Sequence, residues 1–261
     1  MAIRLARAGY KPVSAVALHS LHRQTMLRKL SQWGLRDSIY YARTKLIPSR
    51  NNSQADIWNP YLEALLKPGK KPFRNLRDVG ASHGFPVALS QNQNSADSIE
   101  YLRKWSADLI IFTGGDILRR SLLDVPRLGV LNLHLGMLPE IRGMSSPEWS
   151  LLNNVPLGVT IHYMDTGIDT GPILQRCELP NAARCDSLGD LRHRLVAFGI
   201  EKMADIVAAI DRGTISASPQ PALLNDRQFF VMHEWLRIRA AKKFMRAPSL
   251  VMREDAEPVG R

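Results

Sequence analysis

The reading of this chain turns on Gly129-Val130-Leu131-Asn132-Leu133-His134 and, further on, Gly158-Val159-Thr160-Ile161-His162-Tyr163-Met164-Asp165-Thr166-Gly167-Ile168-Asp169-Thr170-Gly171. Both stretches are apolar, strand-like runs that end in side chains able to hydrogen-bond or carry a proton, and both are followed by Gly or Pro punctuation. Polar groups gathered at strand ends predict a site at the edge of an α/β sheet.

The segments on either side continue that rhythm. Residues 2–9 predict a helix closed by Gly9, and 12–18 a buried parallel strand. Between His19 and Ile47 the spacing of Leu21, Met26, Leu30, Leu35, Ile39 and Tyr40 predicts two basic helices. Residues 51–73, punctuated by Pro60, Pro68 and Pro72, predict a loop with one short helix around 61–66. Beyond it come a helix over 76–83 ending at Gly84, a strand over 86–89, a Ser-capped helix over 95–105 and a strand over 108–113. A short helix over 117–123, a strand over 129–133, a helix over 146–153 and a strand over 159–163 follow. A long amphipathic helix over 187–212, capped by Asp186 or Ser187 and stopped by Gly213, completes the alternation. Strands alternating with helices predict an α/β fold with a doubly wound, mostly parallel, Rossmann-like sheet. After Pro221 the clustering of Phe229, Phe230, Met232, Trp235, Leu236, Ile238 and Phe244 among cations predicts a short helical C-terminal appendage.

Asn-x-His, then Leu138-Pro139, Arg142-Gly143 and Met-Asp-x-Gly-Ile-Asp-Thr-Gly-x-Ile-Leu together resemble the formyltransferase fold family, which includes glycinamide ribonucleotide, methionyl-tRNA and sugar-nucleotide N-formyltransferases. The resemblance runs from about Phe85 to Gly213. It implies 10-formyltetrahydrofolate as co-substrate and no metal. It also implies a formyltransferase-like catalytic domain over 1–213, with a helical and loop insertion at 19–73 and the short basic appendage at 214–261. A chain of this family begins one strand earlier, followed by a glycine-bearing turn that grips a phosphate in the small purine-pathway members; that strand and turn are not legible here. A second departure is His134-Leu135-Gly136-Met137-Leu138-Pro139, where the family usually reads His-Pro-Ser-Leu-Leu-Pro. The absent Ser hydroxyl removes a minor folate contact.

Moving a formyl group to an amine develops negative charge on the formyl oxygen and requires a proton to travel from the amine to the folate. An amide donor suits the first need, because it does not titrate; Asn132 is the motif position. Two positions on along a strand, His134 projects from the same face and carries protons near neutral pH. A carboxylate from a separate loop, Asp169 by resemblance, orients the imidazole and orders a water. Taken singly, Asn132 reads as a turn-capping amide, His134 as a strand-end histidine and Asp169 as the cap of the turn before Gly171. The three at motif spacing read as catalytic. By resemblance the pterin pocket is lined by Gly115, Asp116, Ile117 and Leu118 and by Met164, Asp165, Gly167 and Ile168, largely through backbone and apolar walls. Arg142 holds its loop or meets an anionic substrate group. His162 reads as a strand residue facing the cover of the sheet.

Composition bounds the remainder. The chain has 261 residues, 45% of them hydrophobic, and a net charge of +11. Its apolar runs are far shorter than the roughly 18 residues of a membrane span. Cys177 and Cys185 make neither a disulfide framework nor a metal-type spacing, which points to a reducing, cytoplasmic setting. An Arg-rich, acid-poor start also resembles a mitochondrial transit peptide, the alternative location. Residues 1–50 carry ten Lys or Arg against Asp37 alone, and Arg237, Arg239, Lys242, Lys243 and Arg246 form a second basic run. Such patches suit phosphate-bearing partners, although a solvated helix face explains them equally. The expected acceptor is a primary amine on a small molecule, a nucleotide-linked amino sugar, bound by a homodimer without membrane association. The alternatives are methionyl-tRNA formylation, 10-formyltetrahydrofolate hydrolysis, and a non-catalytic anion- or RNA-binding relative. Fewer than about 50 residues follow Gly213, short of the separate C-terminal β-barrel of the tRNA enzymes.

Overall fold

The computed structural model describes residues 1–10, 12, 14–18, 76–90, 92–180, 185–221 and 227–246. The helices expected in 19–47 and around 61–66 lie outside the described residues. After helix α1 (Ala2–Arg7) and strand β1 (Ala15–Leu18) come α2 (Leu76–His83), β2 (Val87–Ser90), α3 (Ala96–Lys104), β3 (Ile110–Phe112) and α4 (Arg120–Leu123). Then follow β4 (Val130–His134), β5 (Arg142–Gly143), α5 (Ser146–Asn153), β6 (Gly158–Tyr163), β7 (Ile173–Glu178), α6 (Leu188–Asp211), β8 (Gln228–Phe229) and α7 (Glu234–Arg246).

Local chemistry accounts for the element ends. The Ser95 hydroxyl accepts from the Ser98 N–H, and that of Ser187 from the Asp190 N–H, so each closes an otherwise orphaned donor at a helix start. Gly213, at φ +64°, lets the chain leave α6 in the left-handed conformation that a side chain disfavours. The short helix expected from Ile117 begins only at Arg120. Asn94 explains the delay. Its Nδ2 donates to the Ile117 carbonyl across 2.9 Å, the acceptor another helical turn would use, and its Oδ1 accepts from the Arg119 N–H across 2.7 Å.

The α/β class holds, with parallel pairs β1/β2 and β3/β4. Beyond β4 the pairing turns antiparallel: the central sheet has the order β3-β4-β6-β7, with β6 antiparallel to both neighbours. The register supplies the reason. His134 pairs with Thr160 and Leu131 with Tyr163, so β6 enters beyond the C-terminal end of β4. The loop and α5 between them therefore never return to the start of β4, as a parallel crossover requires. β7, absent from the sequence reading, is a half-exposed edge strand with polar residues in its alternation.

Alternation along β4 sends Val130 into a cluster with Ile99, Leu102, Leu118 and Leu122 on one side of the sheet. Leu131 joins Ile161, Met203 and Ile206 under α6 on the other. Asn132 and His134 share the face of Val130. A third cluster joins Leu151, Leu157, Val159, Leu191 and Leu195 to Met232, Ala240 and Phe244. The segment after α6 thus packs α7 against α5 within the same core, burying Phe244 to 2% exposure.

Candidate active site

Asn132 and His134 project from β4 beside His162, the antiparallel partner of Asn132, so the three stand on one face. Asp169 reaches them from the loop between β6 and β7, its own backbone held at φ +53°, a conformation uncommon for a residue with a side chain. Asn132 Nδ2 lies 3.3 Å from Asp169 Oδ1 and 3.2 Å from His162 Nε2. His134 Nδ1 lies 3.4 Å from Asp169 Oδ2, and His162 Nε2 lies 3.6 Å from Asp169 Oδ1. The structure thus brings together all three residues that the motif singled out, and adds a fourth. His162 does not face the cover of the sheet; it is 1% exposed and points into this cluster. Only the antiparallel register reveals it, since spacing along one strand says nothing of the residue opposite.

Each group is anchored from behind. The His134 ring donates through Nε2 to the Ile141 carbonyl at 2.7 Å, which leaves Nδ1 toward Asp169. The Gly143 N–H donates to Asp169 Oδ2 at 2.9 Å. Gly143 can do so because it has φ +100° and lacks a Cβ, which would sit 2.1 Å from the Phe229 carbonyl oxygen. Gln220, which the sequence reading passed over, donates through Nε2 to the carbonyls of Asp169 and Gly171, each at 2.8 Å. Thr160 donates to the Gly136 carbonyl and accepts from the Leu138 N–H, pinning the turn after β4.

Burial pushes the His134 imidazole below its ordinary pKa, against the smaller opposing pull of Asp169 and the Ile141 carbonyl. For Asp169 burial acts upward, but the neighbouring His162 and His134 rings and the Gly143 N–H together hold the carboxyl below its ordinary value. Both directions favour a carboxylate facing a neutral imidazole, with Nδ1 placed to take a proton.

The loops expected to hold the pterin converge on one apolar base, since Met164 packs on the cluster that contains Leu118. Leu118 is buried beneath, while Ile117 above it is 63% exposed. Gln93 Nε2 donates to the Asp116 carbonyl at 2.7 Å, and its Oε1 is buried beside Gly115 without a hydrogen-bond partner among the described residues. An apolar base with one buried, unpartnered acceptor beside Gly115 is compatible with a flat heterocycle that carries N–H groups, as a pterin does. Asp165 Oδ1 accepts from the Gly167 N–H and the Thr170 hydroxyl, tying the second loop to itself; Ile168 is half-buried. Arg142 is half-buried on β5, next to the Gly143 contact with Asp169. At Gly136, where the related motif has Ser, a Cβ would sit 2.9 Å from that of Ser146 and 3.0 Å from His134 Nε2. The start of α5 leaves no room for the hydroxyl. Among the described residues no His, Cys, Asp and Glu cluster could hold a metal ion, and no helix is long and apolar enough to cross a membrane.

Residues 54–207 match the family model described as formyl transferase. The chain belongs to the formyl transferase family. Family members carrying the methionyl-tRNA formyltransferase name include a protein of Agathobacter rectalis, 35% identical over 147 residues that are 56% of this chain and 47% of that protein. One from Halorhodospira halophila is 38% identical over 141 residues, 53% of this chain and 45% of the other. The chain spans about half the length of these curated relatives. Among solved structures, the formyltransferase PseJ from Anoxybacillus kamchatkensis, in complex with UDP-4,6-dideoxy-4-formamido-L-AltNAc and tetrahydrofolate, is 30% identical with a TM-score of 0.47. The similarity covers 61% of this chain and 82% of that one. The formyl transferase family draws its one-carbon unit from 10-formyltetrahydrofolate.

Proposed function

We propose that the protein transfers the formyl group of 10-formyltetrahydrofolate to a primary amine of a phosphate-bearing small molecule, a nucleotide-linked amino sugar. The observation that carries this reading is the meeting of Asn132, His134 and Asp169 on one face beside loops that fit a pterin. The folate supplies the formyl carbon when bound, held by Gly115, Asp116, Ile117 and Leu118 on one side and Met164, Asp165, Gly167 and Ile168 on the other. As the new C–N bond forms and the C–N bond to the folate breaks, Asn132 Nδ2 donates to the oxygen that gains charge. His134 Nδ1 takes the proton lost by the amine, becoming an imidazolium that Asp169 Oδ2 stabilises, and then yields it to the departing folate nitrogen. Arg142 meets an anionic group of the acceptor.

A small acceptor is supported by the path after α6, where β8 pairs with β5 beside the Gly143 contact to Asp169 and α7 packs on α5. The Met144 N–H donates to the Phe229 carbonyl, and Trp149 Nε1 donates to the Phe230 carbonyl. The names of the curated relatives favour a second reading, formylation of methionyl-tRNA. The deciding experiment offers the purified chain 10-formyltetrahydrofolate with either a nucleotide-linked 4-amino sugar or initiator methionyl-tRNA at physiological salt. Formylation of the sugar, with only weak and salt-labile affinity for the tRNA, is the expected result. Efficient formylation of the tRNA alone would move the protein to translation. Folate turnover to formate with neither acceptor would favour the hydrolase.

A further inference from the structure

The reading above requires Asn132 to present an N–H, yet a side-chain amide has two ends of nearly equal size, and something must select which one faces the site. We infer that His162 makes that selection. This is a positioning role that rests on the formyl-transfer reading for its catalytic consequence but not for its geometry.

His162 Nδ1 lies 2.7 Å from the Tyr163 carbonyl oxygen, which can only accept, so the proton sits on Nδ1. In a neutral ring Nε2 is then bare; it lies 3.2 Å from Asn132 Nδ2, nearer than the 3.6 Å to Asp169 Oδ1. The other neighbour of Nδ2 is Asp169 Oδ1 at 3.3 Å, again an acceptor. Were the amide turned over, its oxygen would confront a lone pair and a carboxylate together, two acceptor–acceptor contacts beside a His162 ring that is 1% exposed. One N–H is thus given to His162. The second faces Asp169 Oδ1, the neighbour also turned toward the proton carrier His134, and is the one an oxygen gaining negative charge takes over. Without the bare Nε2 the amide keeps a single reason to point its nitrogen inward, and that reason is the partner the reaction must displace.

The register makes this arrangement possible, because antiparallel pairing sets His162 directly opposite Asn132 on the same face. The site therefore draws its donor from β4 and the orientation of that donor from β6.

The test has a structural arm and a kinetic arm. Long-range ¹H–¹⁵N spectra of the wild-type protein should show His162 as the Nδ1–H tautomer with an accepting Nε2. A ring protonated at Nε2 near neutral pH would overturn the inference whatever the protein catalyses. In the kinetic arm, the acceptor-free release of formate from 10-formyltetrahydrofolate serves as readout. His162→Leu, which fills the space but accepts nothing, should lower kcat roughly 10- to 100-fold with KM for the folate little changed. His162→Gln, whose Oε1 can accept from Asn132 Nδ2, should recover most of that loss. Equal losses in the Leu and Gln variants, or a loss confined to KM, would show a packing role only. Wild-type protein that binds and turns over no folate would sink the formyl-transfer reading, and with it the catalytic consequence, while the tautomer still decides the orientation.

Discussion

Oδ2 of Asp169 stands 3.4 Å from Nδ1 of His134 while its other oxygen, Oδ1, faces the amide of Asn132. One carboxylate thus addresses the proton carrier with one oxygen and the amide donor with the other, which makes the two functions interdependent.

Because His134 and Asp169 serve one proton transfer, His134→Ala and Asp169→Ala should each lower turnover roughly 10²-fold or more. The double variant should be scarcely worse than the weaker single one. Multiplicative losses in a steady-state double-mutant cycle would refute the coupling.

Stability should fall on acidification in two stages of the same sign. His134 binds its proton more weakly in the native protein than at its ordinary value of 6.5, so lowering the pH through that value favours the unfolded chain until the native value is passed. Asp169, held below its ordinary 3.8, adds a further loss at lower pH as it is protonated. His193 is lowered by burial as well and contributes with the same sign. Urea midpoints measured at about pH 7.5 and about pH 5.5 should therefore drop further for the wild type than for His134→Gln. An unchanged difference between the two proteins would exclude His134 as a source.

A folate analogue should raise the melting temperature, since a ligand bound only by the native state stabilises it. Gly167→Val should abolish that shift. The reason is close approach: a Cβ at Gly167 would lie 2.1 Å from the Thr170 hydroxyl oxygen, which itself donates to Asp165 at 2.6 Å. Thermal shift with and without the analogue settles it; a persisting shift would place the pterin elsewhere.

The clamp between α5 and α6 offers a test of stability away from the chemistry. Glu148 is 2% exposed, and both its oxygens accept from the guanidinium of Arg192. Arg192→Met strands a buried carboxylate and should cost about 3 kcal/mol, toward the lower end for such a pair because the Arg192 side chain is 40% exposed. Adding Glu148→Met should return part of the loss in chemical denaturation. A further full loss would mean that the carboxylate has other support.

Much of this molecule is written locally. The caps at Ser95 and Ser187, the stop at Gly213 and the apolar alternation of β4 depend on residues within a few positions of one another, which is why these elements and the shared face of Asn132 and His134 are legible in the sequence. Asp169 was legible through its motif, although nothing in the spacing alone says that its loop returns to β4. What required the tertiary structure is every relation across the sheet. The antiparallel entry of β6 set His162 opposite Asn132, the Asn94 amide delayed α4, and the pairing of β5 with β8 placed the Gly143 N–H on Asp169. Strand periodicity states which face a side chain occupies; its partner on that face is chosen by register and loop path, which are set by packing between residues far apart in the chain.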